Sequence, residues 1–175
     1  RKSAVKRKTD DSVREMERGG ACAVESISSE EGGDILWQAV TDLGYEEKSA
    51  PRLVAKVSIL PSQVKEFTDM ASRWANPASC QGIVADVGTG LVRHLWWAED
   101  SSSDVSEGLE SLINVMRQEA RPYTRHLVFE RCPNEVKSKI DVWGDSPDGV
   151  DIMRRLKQQL DPAGILNPGR FAGRI

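Results

Sequence analysis

The stretch LVAKVSILPSQVKEFTDMASRWANPASCQGIVADVGTGLVRHLWW, residues 53–97, decides the architecture. Leu53, Ala55, Val57 and Ile59 alternate with Val54, Lys56 and Ser58, the period of two that marks a strand. Pro61 suits the first turn of a helix, where its missing N–H costs nothing. Val64, Phe67, Ala71, Trp74 and Ala75 form one face of that helix, and Asn76-Pro77 ends it. Ile83, Ala85 and Val87 then alternate with Gly82, Val84 and Asp86. Gly88-Thr89-Gly90 reads as a turn and residues 91–97 as a second strand, together a hairpin.

Working outward, Asp104 and Glu107 form a capping pair before a helix whose inner stripe is Val105, Leu109, Leu112, Ile113 and Met116. Pro122 follows, and residues 124–130 read as a fourth strand. The order strand, helix, strand, strand, helix, strand is the ferredoxin-like split βαβ arrangement. It predicts an α+β fold, an antiparallel sheet with both helices on one face. The other face is left bare, and a bare face of that size meets a partner, a ligand or another domain. Residues 133–140 suit a short helix. Ser146 as N-cap and Pro147 open a last helix with Val150, Met153, Leu156 and Leu160 inward, stopped by Asp161-Pro162. Two turn signals follow, Asp161-Pro162-Ala163-Gly164 and Asn167-Pro168-Gly169. Upstream, Ile35, Leu36, Ala39, Val40 and Leu43 recur at helical spacing over residues 28–43, with Gly44 as the stop. Residues 1–20, with Arg1, Lys2, Lys6, Arg7 and Lys8 at the front and Gly19-Gly20 at the end, read as a linker or flexible arm ahead of one domain, 21–175.

Composition narrows the function. The chain's 175 residues, 39% hydrophobic and 29% charged, suit one soluble globular domain with a core of its own. Twenty-four basic against 27 acidic residues, net charge −3, argue against a nucleic-acid binder, which needs a basic face. Cys22, Cys80 and Cys132 lack the paired spacings of a zinc site or disulfide framework, so reduced thiols in a cytoplasmic protein are expected. No apolar run reaches the roughly 20 residues of a membrane span, and no signal segment is evident. The first residue is Arg1, which suggests a piece of a longer polypeptide.

Common catalytic signatures are absent: no Gly-x-Gly-x-x-Gly follows a strand, and there is neither a Walker-type loop nor a Gly-x-Ser-x-Gly elbow. The two histidines, His94 and His126, fall on predicted strands that flank the first strand without pairing, so a shared metal is not expected. Lys56, Arg93, His94, Arg125, His126 and Arg131 all fall on predicted strands. Those facing the bare side would make a positive surface for a carboxylate or an anionic cofactor edge. Alternation puts Arg93 with Leu91, Leu95 and Trp97, but His94 with Val92 and Trp96, so not all share one face.

The run Leu156-Lys157-Gln158-Gln159-Leu160-Asp161-Pro162-Ala163-Gly164-Ile165-Leu166-Asn167-Pro168-Gly169-Arg170-Phe171 closely resembles the closing signature of FAD-linked oxidases of the vanillyl-alcohol oxidase type. Val128-Phe129-Glu130-Arg131-Cys132-Pro133, leading to Asp141-Val142-Trp143-Gly144, is similar to the smaller FAD-binding subunit of bacterial glycolate oxidase. The resemblance implies a cap domain that covers the flavin of FAD and shapes the substrate pocket. The glycine-rich FAD-binding domain would precede it in the same full-length chain, and other glycolate oxidase subunits would be its partners. Such a cap is inactive alone, and 2-hydroxy-acid oxidation is the implied reaction. Carried over, Asn167, Gly169 and Arg170 are candidates for packing near the cofactor; from the strand pattern, Arg93, His94, Arg125 and His126 are the substrate-side candidates. The His-x-His metal motif of the larger catalytic subunit does not occur. A ferredoxin-like small-molecule-sensing module and a subunit-assembly module remain the alternatives.

Overall fold

The computed structural model describes residues 2–43, 50–74, 80–97 and 103–175. The helix stops at Gly44 and Asn76-Pro77 lie outside them, as do the side chains of Val105, Asp104 and Glu107. The chain divides into two compact units, Arg1–Leu43 and Gly44–Ile175.

In the first unit, the segment expected to be a flexible arm is an α-helix, α1 (Lys2–Arg18). Its sequence is rich in good helix formers, and Arg14–Asp11 (2.8 Å) and Arg18–Glu15 (2.6 Å) pair one turn apart. The mixed charges that suggest a solvated tail are thus spent on an exposed helix. α2 (Gly33–Thr41) is shorter than the expected 28–43 helix. A 3₁₀ turn, Ser29–Glu31, precedes it, and the Glu31 carboxylate accepts hydrogen bonds from the amide (2.9 Å) and hydroxyl (2.8 Å) of Ser28. These bonds lower the Glu31 pKa.

The second unit follows the order read from the sequence: β1 (Leu53–Ser58), α3 (Val64–Ala71), β2 (Cys80–Asp86), β3 (Leu91–Trp97), α4 (Ser103–Ala120) and β4 (Val128–Arg131). The strands lie β2-β3-β1-β4, and every neighbouring pair is antiparallel. This is the expected ferredoxin-like α+β sheet. Leu53, Ala55 and Val57 of β1 join Phe67 of α3 and Ile113 of α4 in one core, so the helices cover a single face. Fully burying a side chain such as Phe67 (1% exposed) stabilises the fold by about 1.5–3 kcal/mol. The hairpin turn is held by Asp86, whose Oδ1 accepts from the amides of Gly88 (3.0 Å) and Thr89 (3.2 Å). Gly90 closes it at φ 73°, and a Cβ there would stand 1.9 Å from the Ile59 carbonyl oxygen.

Four expectations need correction. β4 starts at Val128, not at residue 124, because the His126 amide turns to the Thr124 hydroxyl (3.1 Å) and leaves the ladder. Two further helices, α5 (Asn134–Lys137) and α6 (Val150–Leu160), follow β4. α6 begins three residues beyond Pro147, after a turn closed by the Val150 amide on the Pro147 carbonyl (3.2 Å). Nor does α6 bury its apolar stripe: Leu156 is 51% and Leu160 81% exposed. The helix layer of the sheet is made by α3 and α4 without it. Finally, the face opposite the helices is bare only in part. Val54 and Leu95 at its centre are buried, and the Trp97 ring lies across Gly82. No described helix is long and apolar enough to cross a membrane.

Candidate functional site

On the sheet face away from the helices, Lys56 of β1 stands opposite Arg93 of β3. Glu130 of β4 bridges the two cations: its carboxylate accepts from Lys56 Nζ at 2.9 Å and Arg93 Nε at 3.0 Å. Two positive side chains thus share one half-buried carboxylate, which fixes their positions more firmly than a surface pair.

The C-terminal tail is organised by Asp161. This carboxylate is buried, pairs with Lys157 Nζ at 2.6 Å, and accepts from the amides of Ile165 (3.1 Å) and Leu166 (2.9 Å). Lys157 and these amides hold its pKa down at about 2. The next turn is closed by the Arg170 amide on the Asn167 carbonyl (3.2 Å), with Gly169 at φ 70°, as Pro-Gly at the centre of a type II turn requires. Trp143 fastens this turn to the domain. Its Nε1 donates to the Arg170 carbonyl (3.0 Å), and its ring centroid lies 5.3 Å from that of Phe171. The Val142 carbonyl, one residue back, accepts from the Phe129 amide of β4 (2.7 Å).

Tail and sheet therefore face each other across a cleft of about 970 Å³. Lys56, Glu130, Lys137, Trp143, Gly169 and Arg170 are among its walls. Cations, one bridging carboxylate and an aromatic pair suit a small carboxylate or the anionic edge of a flat ring.

The structure brings together some of the predicted residues and separates others. Gly169 and Arg170 line the cleft; Arg93 does not, and pairs instead with Glu130, which does. Asn167 shapes the turn without lining the cleft. His94 faces the helices instead. It is 2% exposed, bonds Gln81 Oε1 through Nε2 (2.7 Å), and meets the Trp74 ring edge-on at 5.4 Å. Burial lowers its pKa to about 4, so the neutral ring ties β3 to β2. Arg125 and His126 are exposed in the segment before β4, and Arg125 lines a different cleft. Glu130, Lys137 and Trp143 were missed as site residues. Glu130 is in phase with Lys56 only once the strand order is known. Among the described residues, no group of His, Cys, Asp and Glu is placed to hold a metal.

The family model described as FAD linked oxidases, C-terminal domain, matches residues 143–171, from the tryptophan that anchors the tail to the phenylalanine tilted against its ring. The match supports reading the chain as such a domain. No curated protein and no solved structure matches it.

Proposed function

We propose that this chain is the cap of an FAD-dependent oxidoreductase of the glycolate oxidase type, working on a 2-hydroxy acid and inactive without its FAD-binding domain. The observation that carries the reading is that the tail matching FAD-linked oxidases and the Lys56–Glu130 ion pair, which Arg93 braces from outside, meet in one cleft.

The cleft fits one side of a flavin rather than a whole dinucleotide. Trp143 and Phe171 supply apolar surface and Arg170 a cation, whereas the sequence holds no glycine-rich loop to cradle a pyrophosphate. FAD, when bound, supplies the hydride acceptor. Lys56, held with Arg93 on Glu130, orients the substrate carboxylate, and the aromatic pair excludes water from the reacting face. The FAD-binding domain docks on the exposed apolar side chains of the tail, including Leu160, Ile165 and Leu166, which are 81%, 75% and 61% exposed.

The test is to produce the natural gene product that contains this chain and follow flavin absorbance and 2-hydroxy-acid-driven dye reduction. A flavin-bearing protein whose KM for the acid rises about tenfold or more in Lys56→Ala, with kcat less affected, supports the reading. A product without flavin, or a KM indifferent to Lys56 and Arg170, overturns it.

A further inference from the structure

A second cleft, of about 440 Å³, opens between the last turns of α4 and the loop at Gly144 and Asp145. It shares no lining residue with the cleft assigned above. Arg117, Arg121 and Arg125 all line it. Arg117 is half-buried: one terminal nitrogen donates to the Asp141 carbonyl, the guanidinium lies 5.4 Å from the Phe129 ring centroid, and Nε is buried without an acceptor among the described residues. Arg121 reaches Asp145 at 3.4 Å, a loose pair with both side chains exposed. Arg125 pairs with no carboxylate among the described residues. Thr124 accepts from the His126 amide (3.1 Å), which leaves its hydroxyl hydrogen for another acceptor.

The loop wall depends on Gly144, at φ 87°, where a Cβ would come within 3.1 Å of the Arg125 carbonyl and 3.2 Å of the Leu127 carbonyl. The backbone of the loop is thereby drawn close to the segment that carries Arg125. Three guanidinium groups thus face one lining carboxylate, Asp145, with Asp141 acting on Arg117 from behind. Asp141 Oδ1 is itself taken by the Trp143 amide (3.0 Å). The cleft keeps an excess of positive charge and a surplus of planar, fork-shaped donors, which fit the three terminal oxygens of a phosphoryl group better than the two of a carboxylate.

We propose that this cleft is a phosphate-binding site, with Arg117, Arg121 and Arg125 holding the phosphoryl oxygens of a phosphorylated small molecule or free phosphate. The site is separate from the oxidation chemistry and stands or falls without it.

The test is a titration of the isotope-labelled 175-residue chain with inorganic phosphate and with AMP at fixed ionic strength, reading the Thr124 and Gly144 amide signals, with acetate as the monocarboxylate control. Saturable shifts at both amides, weakened about tenfold or more in Arg125→Gln and absent with acetate, are expected. AMP tighter than phosphate identifies an esterified ligand, and equal affinities identify free phosphate. Arg125 is exposed on a loop, so its variant keeps the fold, which the unshifted core signals verify. Shifts that do not saturate, that Arg125→Gln and Thr124→Val leave unchanged, or that acetate reproduces overturn the proposal and leave the arginines as partners of the helix dipole.

Discussion

The helix-covered side of the sheet and the C-terminal tail are held by opposite means. Between β1, α3 and α4, order comes from burial: Leu53, Ile113 and Met116 have no exposed surface. Between residues 160 and 171, order comes from hydrogen bonds and turns, while Leu160, Ile165 and Leu166 stand in solvent. The first region folds for its own sake. The second is shaped without being covered.

Mutations should separate the two regions. Phe67→Ala removes a buried ring that meets Trp74 and Tyr123 edge-on, and costs about 4 kcal/mol in chemical denaturation. Leu160→Ala, by contrast, changes stability by less than about 0.5 kcal/mol. A loss at Leu160 comparable to that at Phe67 would mean that the tail belongs to the core after all. Gly90→Ala drives a methyl group into the Ile59 carbonyl from a left-handed backbone and costs about 3 kcal/mol or more, seen as a lower denaturation midpoint.

The next effect depends on pH. His94 has a folded pKa of about 4 against about 6.5 for an unfolded histidine, so the native state binds fewer protons between those values. Stability is full above the unfolded value and falls by about 3 kcal/mol as pH drops through this window, with no further loss from this group below it. Denaturation curves across that range check the slope, and His94→Gln should flatten it.

The smallest global effect comes from the tail clamp. Asp161→Asn, which keeps the shape but loses the charge facing Lys157, should speed hydrogen exchange at the Ile165 and Leu166 amides and leave the sheet amides protected. The sign with pH follows from the low folded pKa of Asp161. The clamp is intact above the ordinary carboxylate range and loosens as pH falls toward 2. Exchange that rises equally in β1 would erase the distinction between the regions.

The same contrast explains what could be read in the sequence. Alternation from Leu53 to Ile59, the hairpin and the Phe67 and Ile113 stripes are written in local periodicity, because buried faces demand it. The Asn167-Pro168-Gly169-Arg170 turn was legible from turn chemistry alone. α6 misled because an apolar stripe looks the same whether it meets this chain or another. The helix of α1 goes unread because its charges suggest a tail, while their spacing one turn apart supports a helix. The site was legible by halves. Arg170 could be named singly, but the cleft it shares with Lys56 and Glu130 depends on strand order and on Trp143 bonding the Arg170 carbonyl. His94 looked like a surface cation until burial made it a neutral tie between strands.

Asp161 does for Ile165 and Leu166 what a helix or a ladder would do elsewhere: it satisfies backbone donors and fixes direction while making no demand on the side chains. A segment fixed in this way has little freedom left to surrender, so a partner that covered its leucines and isoleucine would lose less of the gain to ordering them.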